Sequence, residues 1–349
     1  MRTLIKGFLC RLTRYLGLNA LCYRSHRDDL LVLNYHGVVA ENRRGAVTFG
    51  YHNTASLAEF ESQLRLLKRY FNPVSAARVQ AWACREALLP PHPVLLTFDD
   101  GYRNNFTYAA PLLKQYAVPA IIFLSTAYIG GDRLLWPNEI VESVRHWPRD
   151  YFPHPNGKDS VALGAQRERV AQQLCEEAKR FPMPHVFDYL AELRRDVVIP
   201  AQVRHSYLHA FLTWEQVREL HRDGMEFGSH TVEHVICTGC ASDHLRRELA
   251  DSKHRIEAEL QAPCTSFAYP NGSHLDWAPW VAEMLRQVGY RCAYWLPDDF
   301  QPPSPDAFAL RRVAIPGHLD PCLFEARVFG SLILLARFLG GRERPGASP

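Results

Sequence analysis

Two adjacent carboxylates close an apolar run, Pro93-Val94-Leu95-Leu96-Thr97-Phe98-Asp99-Asp100-Gly101-Tyr102, and two histidines stand four residues apart in Ser229-His230-Thr231-Val232-Glu233-His234. Successive side chains of an extended segment point to opposite sides, so the two carboxylates need not share one task. One can hold a metal ion while the other accepts a proton. His230 and His234 lie on one face if their segment is helical, and that spacing suits a divalent ion bound by imidazole. A third histidine, His36, follows the apolar run Leu30-Leu31-Val32-Leu33-Asn34-Tyr35. The plainer alternatives are an Asp pair that caps a helix and a strand-end histidine that is merely hydrogen-bonded.

The elements that must position these groups are short. Residues 94–98 are apolar, bounded by Pro93 and Gly101, and suit a strand buried on both faces of a parallel sheet. Ligands and catalytic groups in α/β folds gather at the C-terminal ends of such strands, which is where Asp99 and Asp100 stand. The run 30–38 reads as the first strand. Residues 60–70 read as an amphipathic helix, 73–74 as a short strand, 108–116 as a helix and 120–124 as the next buried strand. After a different middle region come a helix over 213–223 capped by Thr213, a strand over 225–229, helices over 245–260 and 278–289, a strand-to-turn corner at 267–272, and short strands at 290–295 and 309–315. Strand and helix alternate, which argues for an α/β fold with parallel strands.

Composition agrees with a folded chain of 349 residues, 47% apolar and 22% charged. A net charge of +3 is too mild for a nucleic-acid partner. Nine cysteines spread thinly along the chain favour reduced thiols and a cytoplasmic location, and the lone Cys237-Thr238-Gly239-Cys240 reads as ordinary buried cysteine. Residues 1–28 form a basic amphipathic helix, with Arg2, Lys6, Arg11, Arg14 and Arg24 among leucines, too interrupted to span a bilayer but suited to peripheral contact with its inner face. No clear signal peptide is read there. Residues 128–210, rich in proline and histidine around a charged helical stretch, read as an insertion or lid bordered by Trp136 and Trp214. The catalytic unit is then 29–127 with 211–320, and 321–349 is a C-terminal helix with a disordered tail.

Taken in order, the Thr97-Phe98-Asp99-Asp100-Gly101, Ser229-His230-Thr231-Val232-Glu233-His234 and Phe267-Ala268-Tyr269-Pro270-Asn271-Gly272 motifs resemble the polysaccharide deacetylase family, the carbohydrate esterases that share the NodB homology domain. Tyr35-His36-Gly37-Val38 resembles the first-strand signature of the branch that acts on exopolysaccharides. The resemblance implies a distorted (β/α) barrel of about seven parallel strands with a helical insertion. It also implies that Asp100, His230 and His234 bind a divalent metal, best Zn2+ with Co2+ or Ni2+ as alternatives, and that Asp99 is the general base. Tyr102 matches the position whose backbone amide supports the oxyanion, and Tyr269, Pro270, Tyr294 and Trp295 wall the acetyl groove. Two departures stand out. Phe267 occupies the place of an arginine that pairs with the base, so Arg311 or Arg312 must substitute. The late histidine motif that supplies the general acid is absent, leaving His36 ahead of His318 for that role.

The activity these residues imply is metal-dependent hydrolysis of N-acetyl groups on the amino sugars of a polysaccharide or its lipid-linked precursor, with an acetylated glycan as partner. A deformylase or deacetylase of a lipid-linked monosaccharide, and a non-catalytic carbohydrate-binding module, are the competing readings.

Overall fold

The apolar runs become a single parallel sheet. A computed structural model of the protein describes residues 13–40, 54–297, 306–317 and 319–332. Its strands are β1 (Leu31–Tyr35), β2 (Gly37–Val39), β3 (Thr54–Ser56), β4 (Asn72–Pro73), β5 (Pro93–Phe98), β6 (Ala120–Leu124), β7 (Tyr151–Pro153), β8 (Ser160–Ala162), β9 (Glu226–Ser229), β10 (Ser266–Ala268), β11 (Cys292–Trp295), β12 (Leu310–Arg311) and β13 (Val313–Ala314). The main sheet runs β12-β11-β10-β9-β6-β5-β1-β13, and β4 pairs with the first residues of β5, before the register with β6 begins.

Only Arg312 separates β12 from β13. The first bonds to β11 and the second to β1, so residues 310–314 tie the two edges of the sheet together and nearly close it into a barrel. Counted as one broken strand, that segment brings the barrel to the expected seven positions. Alternation decides which side chains face inward. Val32, Leu95, Ile121, Phe123, Ala268, Tyr294 and Leu310 pack together as an inner cluster, whereas Leu33, Tyr35, Leu96, Phe98, Ile122 and Leu124 join Phe60, Leu64 and Leu67 of the helix Leu57–Tyr70 in an outer layer. Every residue of β5 and β6 is buried, because both faces are covered.

The helices begin where the sequence signals them. Ser56 with Glu59, and Thr213 with Gln216, form capping boxes at the starts of Leu57–Tyr70 and Trp214–Arg222. Residues 128–210 hold the helices Trp136–His146, Arg167–Ala178 and Met183–Asp196, the one-turn helix Ala201–Arg204 and the antiparallel hairpin β7-β8. Their apolar side chains, among them Trp136, Ile140, Leu174 and Leu190, are continuous with the outer layer of the barrel.

The terminal segments meet. Asn19, on the helix Leu18–Ser25, donates to Glu325 at 3.0 Å and accepts from Ser331 at 2.6 Å, joining the helix Pro321–Val328 to the N-terminal one. Tyr23 stacks on His92 with ring centroids 3.8 Å apart, immediately before β5 starts. Residues 1–12, His318 and the apolar stretch after residue 332 lie outside the described residues. Among the described residues no helix is long and apolar enough to cross a membrane.

Candidate metal centre

β5 delivers the acidic pair at the C-terminal mouth of the barrel. The Asp99 amide still donates to Tyr35 of β1 at 3.0 Å, after which Asp100 and Gly101 take φ values of 74° and 87°. That left-handed corner turns the chain out of the sheet, and it needs a glycine at its second position. A Cβ on Gly101 would lie 2.8 Å from Leu124 Cδ2 and Ile129 Cδ1.

The corner separates the two carboxylates. Asp99 shares the inward side of β5 with Leu95 and Thr97. Arg312 Nη1 donates to Asp99 Oδ1 at 2.6 Å and to Thr97 Oγ1 at 3.3 Å, while Asn34 Nδ2 of β1 donates to Asp99 Oδ2 at 2.8 Å. Burial alone would raise the Asp99 pKa, but the Arg312 guanidinium, followed by His230, outweighs it and holds the carboxyl below its usual range. Of the two arginines expected to replace the family's cation, Arg312 is therefore the one that reaches the carboxylate. Arg311 points elsewhere and lies over the Trp295 ring, 5.7 Å from its centroid. Phe267 packs edge-on to Tyr269 and close to Tyr290 in the outer layer.

Asp100 faces the imidazoles. Its Oδ1 lies 3.5 Å from His230 Nε2 and 3.3 Å from His234 Nε2, and Oδ2 lies 3.8 Å from His36 Nε2. Asp100, His230 and His234 are the one group among the described residues whose ligand atoms converge within 4.8 Å. Asp100 Oδ1 is buried without a hydrogen-bond donor, and His230 Nδ1 is engaged with the Ala268 carbonyl at 2.7 Å, which leaves its Nε2 for the centre. Burial pushes the His230 pKa down to about 4, so its ring is neutral near pH 7. Burial opposes ionisation of Asp100, yet the closeness of His234, then of His36, holds its pKa below the ordinary range. A buried carboxylate oxygen beside two imidazole nitrogens is a donor set that fits a divalent ion.

The histidines do not sit on a helix, contrary to the one-face reading of their spacing. Residues 230–236 form an irregular turn in which Thr231 and His234 adopt φ values of 66° and 54°. The turn, not a helical period, brings the two rings together, with centroids 4.9 Å apart. Its strained backbone is braced. Ser229 Oγ accepts from the Thr231 amide at 3.3 Å, Thr231 Oγ1 accepts from the Val235 amide at 3.1 Å, and Trp136 Nε1 donates to the His234 carbonyl at 2.9 Å. Arg133 grips Glu233 with two bonds of 2.9 and 2.8 Å.

Tyr102 is buried, and its hydroxyl accepts from Asn138 Nδ2 at 2.7 Å. It forms an antiparallel bridge with Phe211 in which the flanking residues make the bonds, so its amide points away from that neighbour. Tyr269 and Pro270 are buried beside the Ala268 carbonyl that holds His230, and the Tyr269 hydroxyl donates to Phe308 at 3.1 Å. Trp295 is half-buried, anchored through Nε1 to the Ala309 carbonyl at 3.0 Å, with Trp277 beside it at 5.8 Å between ring centroids. Tyr294 instead faces the barrel interior with Phe123.

Sequence reasoning missed Asn34, Arg133 and Glu248, and singled out Trp136 only as a border of the insertion. Asn34 left a signal, a lone amide inside an apolar strand at an inward position. Arg133 and Trp136 act across about a hundred residues, and Glu248 acts from the neighbouring helix through its packing on the sheet.

Comparison with known proteins agrees with this architecture. A polysaccharide deacetylase family model matches residues 88–293. The chain belongs to that family. YxkH of Bacillus subtilis, which carries the same family name, is 22% identical over 235 residues, 67% of this chain and 56% of its own length. The poly-beta-1,6-N-acetyl-D-glucosamine N-deacetylase of Staphylococcus aureus is 27% identical over 112 residues, 30% of this chain and 39% of its own. The chain thus spans about half or less of the length of these curated relatives. Among solved structures, the Streptococcus pyogenes deacetylase PplD in complex with acetate covers 86% of this chain and 99% of its own, with a TM-score of 0.57 at 17% identity. That likeness is one of fold.

Proposed function

We propose that this protein hydrolyses N-acetyl groups on the amino sugars of an exopolysaccharide, using a divalent metal ion. The observation that carries the reading is the division of the acidic pair: Asp100 joins two imidazoles while Asp99, behind it, is paired with a buried cation. The S. aureus relative, named for a polymer of N-acetylglucosamine, supports the substrate class.

A zinc ion, or cobalt or nickel, held by Asp100, His230 and His234 would polarise the acetyl carbonyl and lower the pKa of an attacking water toward about 7. Asp99 takes the proton of that water, and Arg312 and Asn34 keep the carboxylate ionised and oriented for the task. The Tyr102 amide supports the oxyanion that develops on the acetyl group. His36 protonates the departing amine. Its side chain is 24% exposed whereas Asp100 beside it is 3% exposed, so of the two His36 is the one open to an incoming molecule. The half-buried Trp295 walls the acetyl pocket, and Tyr269, buried with its ring against Phe267 and its hydroxyl bonded to Phe308, backs that wall beside Pro270.

Peripheral membrane contact belongs to the same reading. Tyr15, Leu16 and Leu21 are exposed beside exposed Arg14 and Arg24. Tyr23 packs at the start of β5 and the metal residues follow its end, about 20 Å away at roughly 3.3 Å per residue. Contact through that face would turn the site away from lipid, which favours a polymer over a lipid-linked monosaccharide.

Acetate release from an N-acetylglucosamine oligomer tests the function. Purified protein is expected to carry about one divalent ion, Asp99→Asn to keep the ion and lose turnover by about 10²–10⁴-fold, and His36→Gln to lose turnover with the ion also retained. Wild-type protein that takes up no metal, or an Asp99→Asn variant with unchanged turnover, would overturn the proposal. Retained metal without turnover in wild type would favour a binding module instead.

A further inference from the structure

The main chain that carries the two imidazoles is held from two sides. On one side, the segment after β6 lies along the turn. The Leu124 carbonyl accepts from the His230 amide at 2.9 Å, and the Thr126 and Ala127 amides donate to the carbonyls of Thr231 and Val232 at 3.2 and 3.0 Å. The amides of Val232 and Glu233 point the other way. Both donate to one oxygen, Oε2 of Glu248, at 2.9 Å each.

Glu248 is 6% exposed and belongs to the helix Ser242–Leu260. That helix is itself fixed to β9 through the contact between Ser252 Oγ and Ser229 Oγ at 2.7 Å. The two amides it holds lie between Thr231 and His234, the non-glycine residues in the left-handed region. A turn with two such residues persists only where its surroundings over-determine it. Val232 and Glu233 are partly exposed, and although Arg133 grips the Glu233 side chain, the two amides themselves are held by Glu248.

We propose that Glu248 is a positioning residue for the metal centre: by accepting both amides it holds the turn that aims His230 and His234 at Asp100. The inference rests on the metal reading above and adds a residue that touches neither ion nor substrate. Because a single oxygen takes both bonds, the clamp needs an acceptor at the right reach and not a negative charge. Glutamine keeps the reach and loses the charge. Aspartate keeps the charge and, one methylene shorter, loses the reach.

Zinc ion affinity of metal-free protein, measured by competition with a chromophoric chelator, separates these variants. Thermal melting of each metal-free form serves as the folding control. Glu248→Gln is expected to stay within a few-fold of wild type, and Glu248→Asp to bind about 10–100-fold more weakly, the usual effect of removing a group that orients ligands. An Asp variant that binds like wild type, or a Gln variant that falls as far as Asp, overturns the role of Glu248. Should the Asp variant not fold, the Gln variant decides alone: retained affinity supports the clamp and a large loss refutes it. A wild type that takes up no zinc sinks the metal centre and this inference with it, whereas a zinc-binding wild type with an unaffected Asp variant sinks only the clamp.

Discussion

Replacing Arg312 with methionine keeps most of the side-chain volume and removes the charge that faces Asp99. The pair is buried, with Arg312 0% and Asp99 3% exposed at their side chains, and its atoms are 2.6 Å apart. At an effective dielectric of about 20 their attraction is about 6 kcal/mol, against which stands the desolvation of both ions. Removing one partner of such a pair costs about 3–5 kcal/mol, because a buried charge is left uncompensated. Asp99 can limit that loss by keeping a proton, since Arg312 is the largest influence opposing the upward push of burial.

The pH dependence follows with a definite sign. In wild type the folded Asp99 pKa is depressed, so its stabilising contribution is present above the unfolded carboxyl pKa and is lost as pH falls through the folded value. In the variant, burial outweighs the remaining His230 and Asn34, the folded pKa rises above the unfolded one, and the penalty grows as pH increases. Urea unfolding at about pH 5 and about pH 8 reads the difference, with a wider gap between variant and wild type at the higher pH. Acetate release should fall by about 10²–10⁴-fold near neutrality, with its acidic limb moved to higher pH. Equal unfolding midpoints and an unchanged pH profile in Arg312→Met would refute the reasoning, as would an equal effect of Arg311→Met.

Gly101→Ala must place a Cβ 2.8 Å from Leu124 Cδ2 and Ile129 Cδ1 at a φ of 87°, so a loss of about 1–3 kcal/mol and weaker metal uptake are expected by thermal melting and metal analysis. A variant that melts and binds like wild type would show that the corner tolerates a side chain. Replacing the exposed Tyr15, Leu16 and Leu21 with serine, which spares the packed Asn19 and Tyr23, should abolish sedimentation with anionic vesicles while leaving acetate release from a soluble oligomer in place, and equal sedimentation of both forms would remove the membrane contact.

Much of the barrel was legible because its strands are locally self-declaring. An apolar run such as 94–98 is readily buried on both faces, and a capping residue such as Thr213, with Gln216 three residues on, announces the helix that starts beside it. The metal-type group was legible too, since carboxylate and imidazole are chemically distinctive and the three that converge stand in recognisable motifs. The one-face reading of His230 and His234 failed because a spacing of four is helical only where the backbone is, and here Thr231 and His234 leave the right-handed region.

What the sequence by itself determined is therefore the strands of the main sheet, their parallel arrangement and the identity of the groups at the strand ends, all carried by local patterning and side-chain chemistry, whereas β3 and the hairpin β7-β8 carry no such pattern. What only the tertiary structure decided is who faces whom. Arg311 and Arg312 are equivalent in the sequence, and the choice between them is made by a strand that breaks at Arg312 to bond β11 on one side and β1 on the other, turning that side chain into the barrel toward Asp99. Trp136 holds the histidine turn from almost a hundred residues away, and Glu248 from the helix that follows it. Such contacts follow from closure of the sheet and packing of helices around it, and no local pattern encodes them.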